Sequence, residues 1–66
     1  MDVANLAQLL RETAEHHDGY EKAAPPHHWW DWYAAYMDAR QNGSTQEEAS
    51  ISAARYMEEA GLVEAR

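Results

Sequence analysis

Apolar residues recur at helical spacing in three stretches of this chain, and glycine, proline or capping residues mark the breaks between them. Val3, Leu6, Leu10 and Ala14 follow one another at three- and four-residue steps, with Leu9 widening the stripe. This pattern predicts a first helix over 3–17. Asp2 is placed to cap it, and Glu12 and Glu15 fall on the opposite face. His16 and His17 lie in its last turn, where a protonated imidazole favours the C-terminal dipole. Asp18-Gly19 is the expected stop, with Gly19 left-handed. Residues 18–27 then read as a linker. Its Pro25-Pro26 pair should be extended and stiff, and Tyr20 can fold back onto the core as an anchor.

A second helix is predicted over 28–41, with the prolines at its entrance, where they are tolerated. Trp29, Tyr33, Tyr36 and Arg40 form one stripe of it, and Trp30, Ala34, Met37 and Gln41 an adjacent one. Trp32 and Ala39 fall on further faces. Asn42-Gly43 ends this helix. Ser44 with Glu47, or Thr45 with Glu48, then offers a capping box for a third helix over 45–60. Ala49, Ala53, Tyr56, Met57 and Ala60 make its apolar face, with Ile51 to one side. Gly61 is the expected left-handed residue after it, Leu62 its hydrophobic partner, and 63–66 should fray. The fold class is therefore all-α. Residues 1–66 make one small helical domain, and the short second connection makes the last two helices an antiparallel αα-hairpin. Ala34, Ala35 and Ala39 face Ala49, Ala53 and Ala54 across it and allow close approach.

Length changes the picture. A chain of 66 residues is marginal as a lone domain, and with no cysteine it has neither a disulfide nor a thiolate metal site. All three tryptophans and two of the four tyrosines lie within 27–37, and there is no phenylalanine. A helix apolar nearly all round needs enclosure on several sides, and so short a monomer has little material for it. The expectation is a homodimer, a dimeric helical bundle built around Trp29, Trp30, Trp32, Tyr33, Tyr36 and Met37. The linker is long enough for helix one to pack on its own hairpin or to swap onto its neighbour's. The alternative is a ligand-binding module, in which these aromatic residues line a pocket at the dimer seam for a cation, an aromatic compound or a peptide.

Charge narrows the partners. Twelve acidic residues oppose five basic ones, for a net charge of −7. That repels nucleic acid and anionic membranes, and suits a basic protein partner. A helix-turn-helix reading of 28–60 would open its recognition helix with Glu47-Glu48, the wrong sign for phosphate. With no signal peptide or membrane span, cytoplasmic residence is the expectation.

The candidate chemistry is thin. His16-His17 and His27-His28 flank the linker, which could bring the pairs together. Glu12 with His16, and His27 with Asp31, have a spacing that a metal can bridge. Yet neither His-Glu-x-x-His nor Glu-x-x-His occurs. Solvated or capping histidines are the leading reading, and a metal site at His16, His17, His27 and His28 is a weaker alternative. Asp31 is the only acid among the aromatics, with His28 and Tyr33 near it in sequence. It is better suited to the first helical turn, or to pairing with an arginine, than to catalysis. Ser44, Ser50 and Ser52 lack a nucleophile elbow. No phosphate loop is present. The chain reads as a non-enzyme with no cofactor.

Leu6 to His17, Trp32-Tyr33-Ala34-Ala35-Tyr36-Met37 and Gly43 to Ala49 together resemble a short bacterial helical segment. It occurs as a small uncharacterised protein and as a C-terminal extension of glyoxalase/bleomycin-resistance (vicinal oxygen chelate) proteins. The likeness covers most of the chain. The β-strands and metal ligands of the chelate fold are absent here, so no enzymatic residue carries over. The resemblance implies an all-α accessory or interaction module.

Overall fold

The computed structural model describes residues 2–24 and 27–61. The expectations for Pro25-Pro26, for Leu62 and for the tail at 63–66 lie outside the described residues. Three helices make up the regular structure among the described residues: α1 (Val3–Ala23), α2 (Trp29–Gln41) and α3 (Gln46–Glu59). The protein is all-α.

Local chemistry explains most of the ends. Asp2 caps α1 by accepting the Asn5 backbone N–H at 2.8 Å. Of the two possible capping boxes before α3, the one formed is Thr45 with Glu48. The Glu48 N–H donates to Thr45 Oγ1 at 3.1 Å, and the Thr45 N–H donates to Glu48 Oε1 at 2.8 Å. Glu47 and Glu48 also sit where the helix dipole favours negative charge. Gly43 and Gly61 adopt positive φ, 99° and 70°, as their places after α2 and α3 require.

The first helix departs from expectation. It does not stop at Asp18-Gly19 but continues to Ala23, so Gly19 is an interior helical residue and the linker shrinks to 24–28. His16 and His17 are therefore not in the last turn, where Lys22 stands instead. An interior glycine costs about 1 kcal/mol. Tertiary contacts offset that here: the extra turns bring Tyr20 onto Trp32, their rings stacked 5.5 Å apart.

Trp32 and Tyr36 of α2, with Ala49, Ala53 and Met57 of α3, form the buried core. The two rings stack at 5.3 Å. The alanines of α3 let its backbone approach the ring edges, and Ala35 and Ala39 pack alongside from α2. Each ring buries roughly 150–250 Å², or about 4–6 kcal/mol of apolar transfer. Tyr56 and Ala60, expected on the buried face of α3, are exposed instead.

α1 lies on α2 by an unexpected face. Its fully buried residues are Thr13 and His17, with Leu9 and Tyr20 packed against the core. The predicted stripe points away: Val3 is 84 % exposed, Leu6 44 % and Leu10 47 %. Thr13 tolerates burial because its hydroxyl donates to the Leu9 carbonyl at 2.6 Å within the same helix.

Candidate functional site

Between α1 and α2 runs a seam of polar groups that the helical pattern alone would place in water. Glu12, expected on the solvent face, is its centre. Tyr36 Oη donates to Glu12 Oε2 at 2.7 Å, and so does Arg40 Nε, also at 2.7 Å. Arg40 Nη2 reaches Glu12 Oε1 at 3.3 Å, and Nη1 donates to the Ser44 carbonyl at 2.8 Å. Arg40 thus ties α1 to α2 and to the turn that starts α3. The guanidinium hydrogen bond holds the Glu12 carboxyl below its ordinary range, against the opposing effect of burial. Burial, then the bond to Glu12, pushes the Tyr36 phenol far upward. A carboxylate with both oxygens engaged and its proton affinity lowered is a structural acceptor and a poor general base.

The four histidines disperse into different roles. His16 stacks on Tyr36 at 5.3 Å. Its Nε2 meets Gln46 Oε1 at 3.0 Å and its Nδ1 meets Ser50 Oγ at 3.1 Å. A carbonyl oxygen accepts, so Nε2 donates to Gln46, and the Ser50 hydroxyl pairs with Nδ1. This single side chain links α1 to α3. His28 lies flat on Trp30, ring centroids 4.5 Å apart.

His17 and His27 do come together, Nε2 to Nε2 at 3.0 Å. Their ring centroids are 5.2 Å apart, so the two nitrogens lie nearly on the line joining the rings. They face each other as donor and acceptor rather than converging on a common point. Glu21 Oε2 stands 3.4 Å from the other nitrogen of His17. His17 packs among the rings of Tyr20, Trp32 and Tyr33, and burial lowers its proton affinity. Among the described residues no group of three or more His, Asp or Glu side chains is placed to hold a metal ion. Glu12 and His16 share a helical spacing but serve different partners.

The aromatic candidates divide. Trp32 and Tyr36 are fully buried inside the chain's own core, and among the described residues the indole N–H of Trp32 has no acceptor, a loss of about 1–3 kcal/mol. Tyr33 and Met37 are half-buried. Trp29 and Trp30 are 53 % and 51 % exposed, edge to face with one another at 5.6 Å. Trp29 also packs edge-on against Tyr33 at 4.9 Å.

Trp29, but not Trp30, borders an open groove of about 630 Å³. Ala7, Leu10 and Ala14 floor it from α1, Trp29 and Tyr33 wall it from α2, and Arg11, Asp18 and Glu21 stand at its rim. Asp31 belongs elsewhere: it lines a smaller groove, of about 450 Å³, between α2 and α3, with Ala34, Asp38, Ser52 and Tyr56. The groove along α1 was not readable from the sequence, because its two walls come from helices that the linker separates. Its floor was readable, as the unburied stripe of α1.

Compared with known protein families, with curated proteins and with solved structures, the chain has no match in any of the three.

Proposed function

We propose that this chain is a non-catalytic helical interaction module that works as a homodimer, with α2 and α3 as an antiparallel hairpin inside a dimeric bundle. One observation carries the reading. Val3, Leu6 and Leu10, which periodicity marks for burial in α1, stand exposed, and Leu10 with Ala7 and Ala14 lines an apolar groove that Trp29 and Tyr33 complete. Exposed apolar patches of this kind mark interaction sites, and exposed tryptophan is typical of their centres. The role is accessory, in line with the resemblance to C-terminal extensions of chelate-fold proteins. A net charge of −7 supports a protein partner over a nucleic acid. Among the described residues no helix is long and apolar enough to cross a membrane, and the cytoplasm is the proposed compartment.

The test is the solution mass by light scattering after size exclusion, at several micromolar concentrations. Twice the chain mass supports the reading. A stable monomer overturns the homodimer and favours the second reading, in which the groove takes a small apolar or cationic ligand. Its volume lies within the usual range for such sites, and with Trp29 on its wall occupancy would change the tryptophan fluorescence.

A further inference from the structure

Along α1 the groove is lined by positions 7, 10, 11, 14, 18 and 21, and by His17, which is itself buried in the chain's own core. Steps of three and four over two heptads are the seam of a paired helix. Val3 extends the same seam toward the N-terminus. Small residues, Ala7 and Ala14, sit where two helices would approach most closely. The charges flanking the seam differ in sign from one end to the other: Arg11 lies on the N-terminal side of Ala14, Asp18 and Glu21 on the C-terminal side. Arg11 and Asp18 are exposed, and among the described residues neither forms an ion pair within the chain.

Resting on the homodimer reading, we infer that two copies of α1 pair antiparallel across Ala14, with Arg11 facing Asp18 of the partner subunit. The α1 of each copy then fills the Leu10–Trp29 groove of the other. The charge pattern selects the direction. A parallel pair would put the two copies of Arg11, and the two of Asp18, on opposite flanks of the seam and bring neither charge to an opposite one. An antiparallel pair sets opposite charges together twice, by two-fold symmetry. In this register Leu10 lies level with the partner's Asp18, and Glu21 lies level with the partner's Ala7 at the end of the groove, where it keeps its contact with His17.

Charge reversal tests the pairing. R11E alone, or D18R alone, turns two attractions into two repulsions and should weaken the homodimer roughly 10- to 100-fold in sedimentation equilibrium. The two variants mixed should form a heterodimer, seen by native mass spectrometry when one copy carries a mass tag. The double variant R11E/D18R should regain the homodimer. Dimers unaffected by the single reversals, or singles that neither mixing nor combination rescues, overturn the antiparallel pairing while self-association stands. A monomeric wild-type chain overturns both.

A second test keeps every charge. The chain has no cysteine, so A14C should cross-link to a covalent dimer under mild oxidation, whereas A7C should not, because the partner's Glu21 lies opposite it. A7C cross-linking as readily as A14C would show a parallel pair and overturn the inference.

Discussion

In α2 and α3 the fully buried residues are Trp32, Tyr36, Ala49, Ala53 and Met57; in α1 they are Thr13 and His17. Both regions are helical, both have a periodic apolar stripe, and they use it in opposite ways. The α2–α3 pair turns apolar faces inward and is held by burial of apolar area. α1 turns inward a face bearing a carboxylate and two imidazoles, each given a partner by α2, α3 or the linker, and a hydroxyl bonded within α1 itself, and leaves Val3, Leu6 and Leu10 outside. The contrast shows that a helix with two usable faces can be docked by its polar one when a neighbour supplies matched groups, and that the apolar face then becomes surface available for association.

The comparison breaks most severely at Trp32. Trp32→Ala should cost about 3–5 kcal/mol, comparable with the whole stability of so small a domain, and urea titration followed by circular dichroism should find the chain largely unfolded in buffer. Tyr36→Phe keeps the stacked ring and removes only the hydrogen bond to Glu12. The expected loss is about 1–2 kcal/mol, or roughly 4–16 °C in melting temperature. A loss as large as that of Trp32→Ala would mean that the polar seam, and not the core, dominates.

Next comes acid. Burial depresses the proton affinity of His17 below the ordinary imidazole value of 6.5, so the unfolded chain takes up that proton first. The stability linked to His17 is complete above about that pH and is lost as pH falls through the folded-state value. Glu12, depressed below the ordinary 4.5, adds a further loss below that pH as its carboxylate is protonated. Melting temperature against pH should show the first decline in wild type and lack it in His17→Asn. An unchanged decline in the variant would assign it to another group.

Smaller still, Gly19→Ala should stabilise the chain by about 0.5–1 kcal/mol, since a Cβ there meets nothing within 4 Å and φ is not positive. The same change at Gly43, with φ of 99°, should destabilise. If Gly19→Ala destabilised instead, α1 would end at Gly19 as its sequence suggests. The least effect on the monomer is expected from Leu10→Gln, within about 0.5 kcal/mol, although it should weaken self-association.

Particular residues show why some features were legible. The Thr45–Glu48 box, the Asp2 cap and the glycine turn at Gly43 rest on neighbours within a few positions, and local hydrogen bonding settles them. The anchoring of Tyr20 on the core was also legible. Glu12 could not be assigned, because its partners Tyr36 and Arg40 lie on another helix: periodicity puts those two on one stripe but does not say which face of α1 meets it. Neither was the division of the tryptophans, since their adjacency tells that the segment needs cover without telling which ring receives it.

The sequence by itself determined the three helices among the described residues, the caps at Asp2 and Thr45, the turn at Gly43 and a surplus of apolar side chains, because these depend on spacing and on neighbours close along the backbone. Only the tertiary structure decided how far α1 extends, which of its faces docks, and which aromatic rings are buried. Those outcomes depend on the sum of long-range contacts: the Tyr20–Trp32 stack offsets a glycine inside a helix, and the matched groups of Glu12, Tyr36 and Arg40 outweigh burial of an apolar stripe that a second copy could cover.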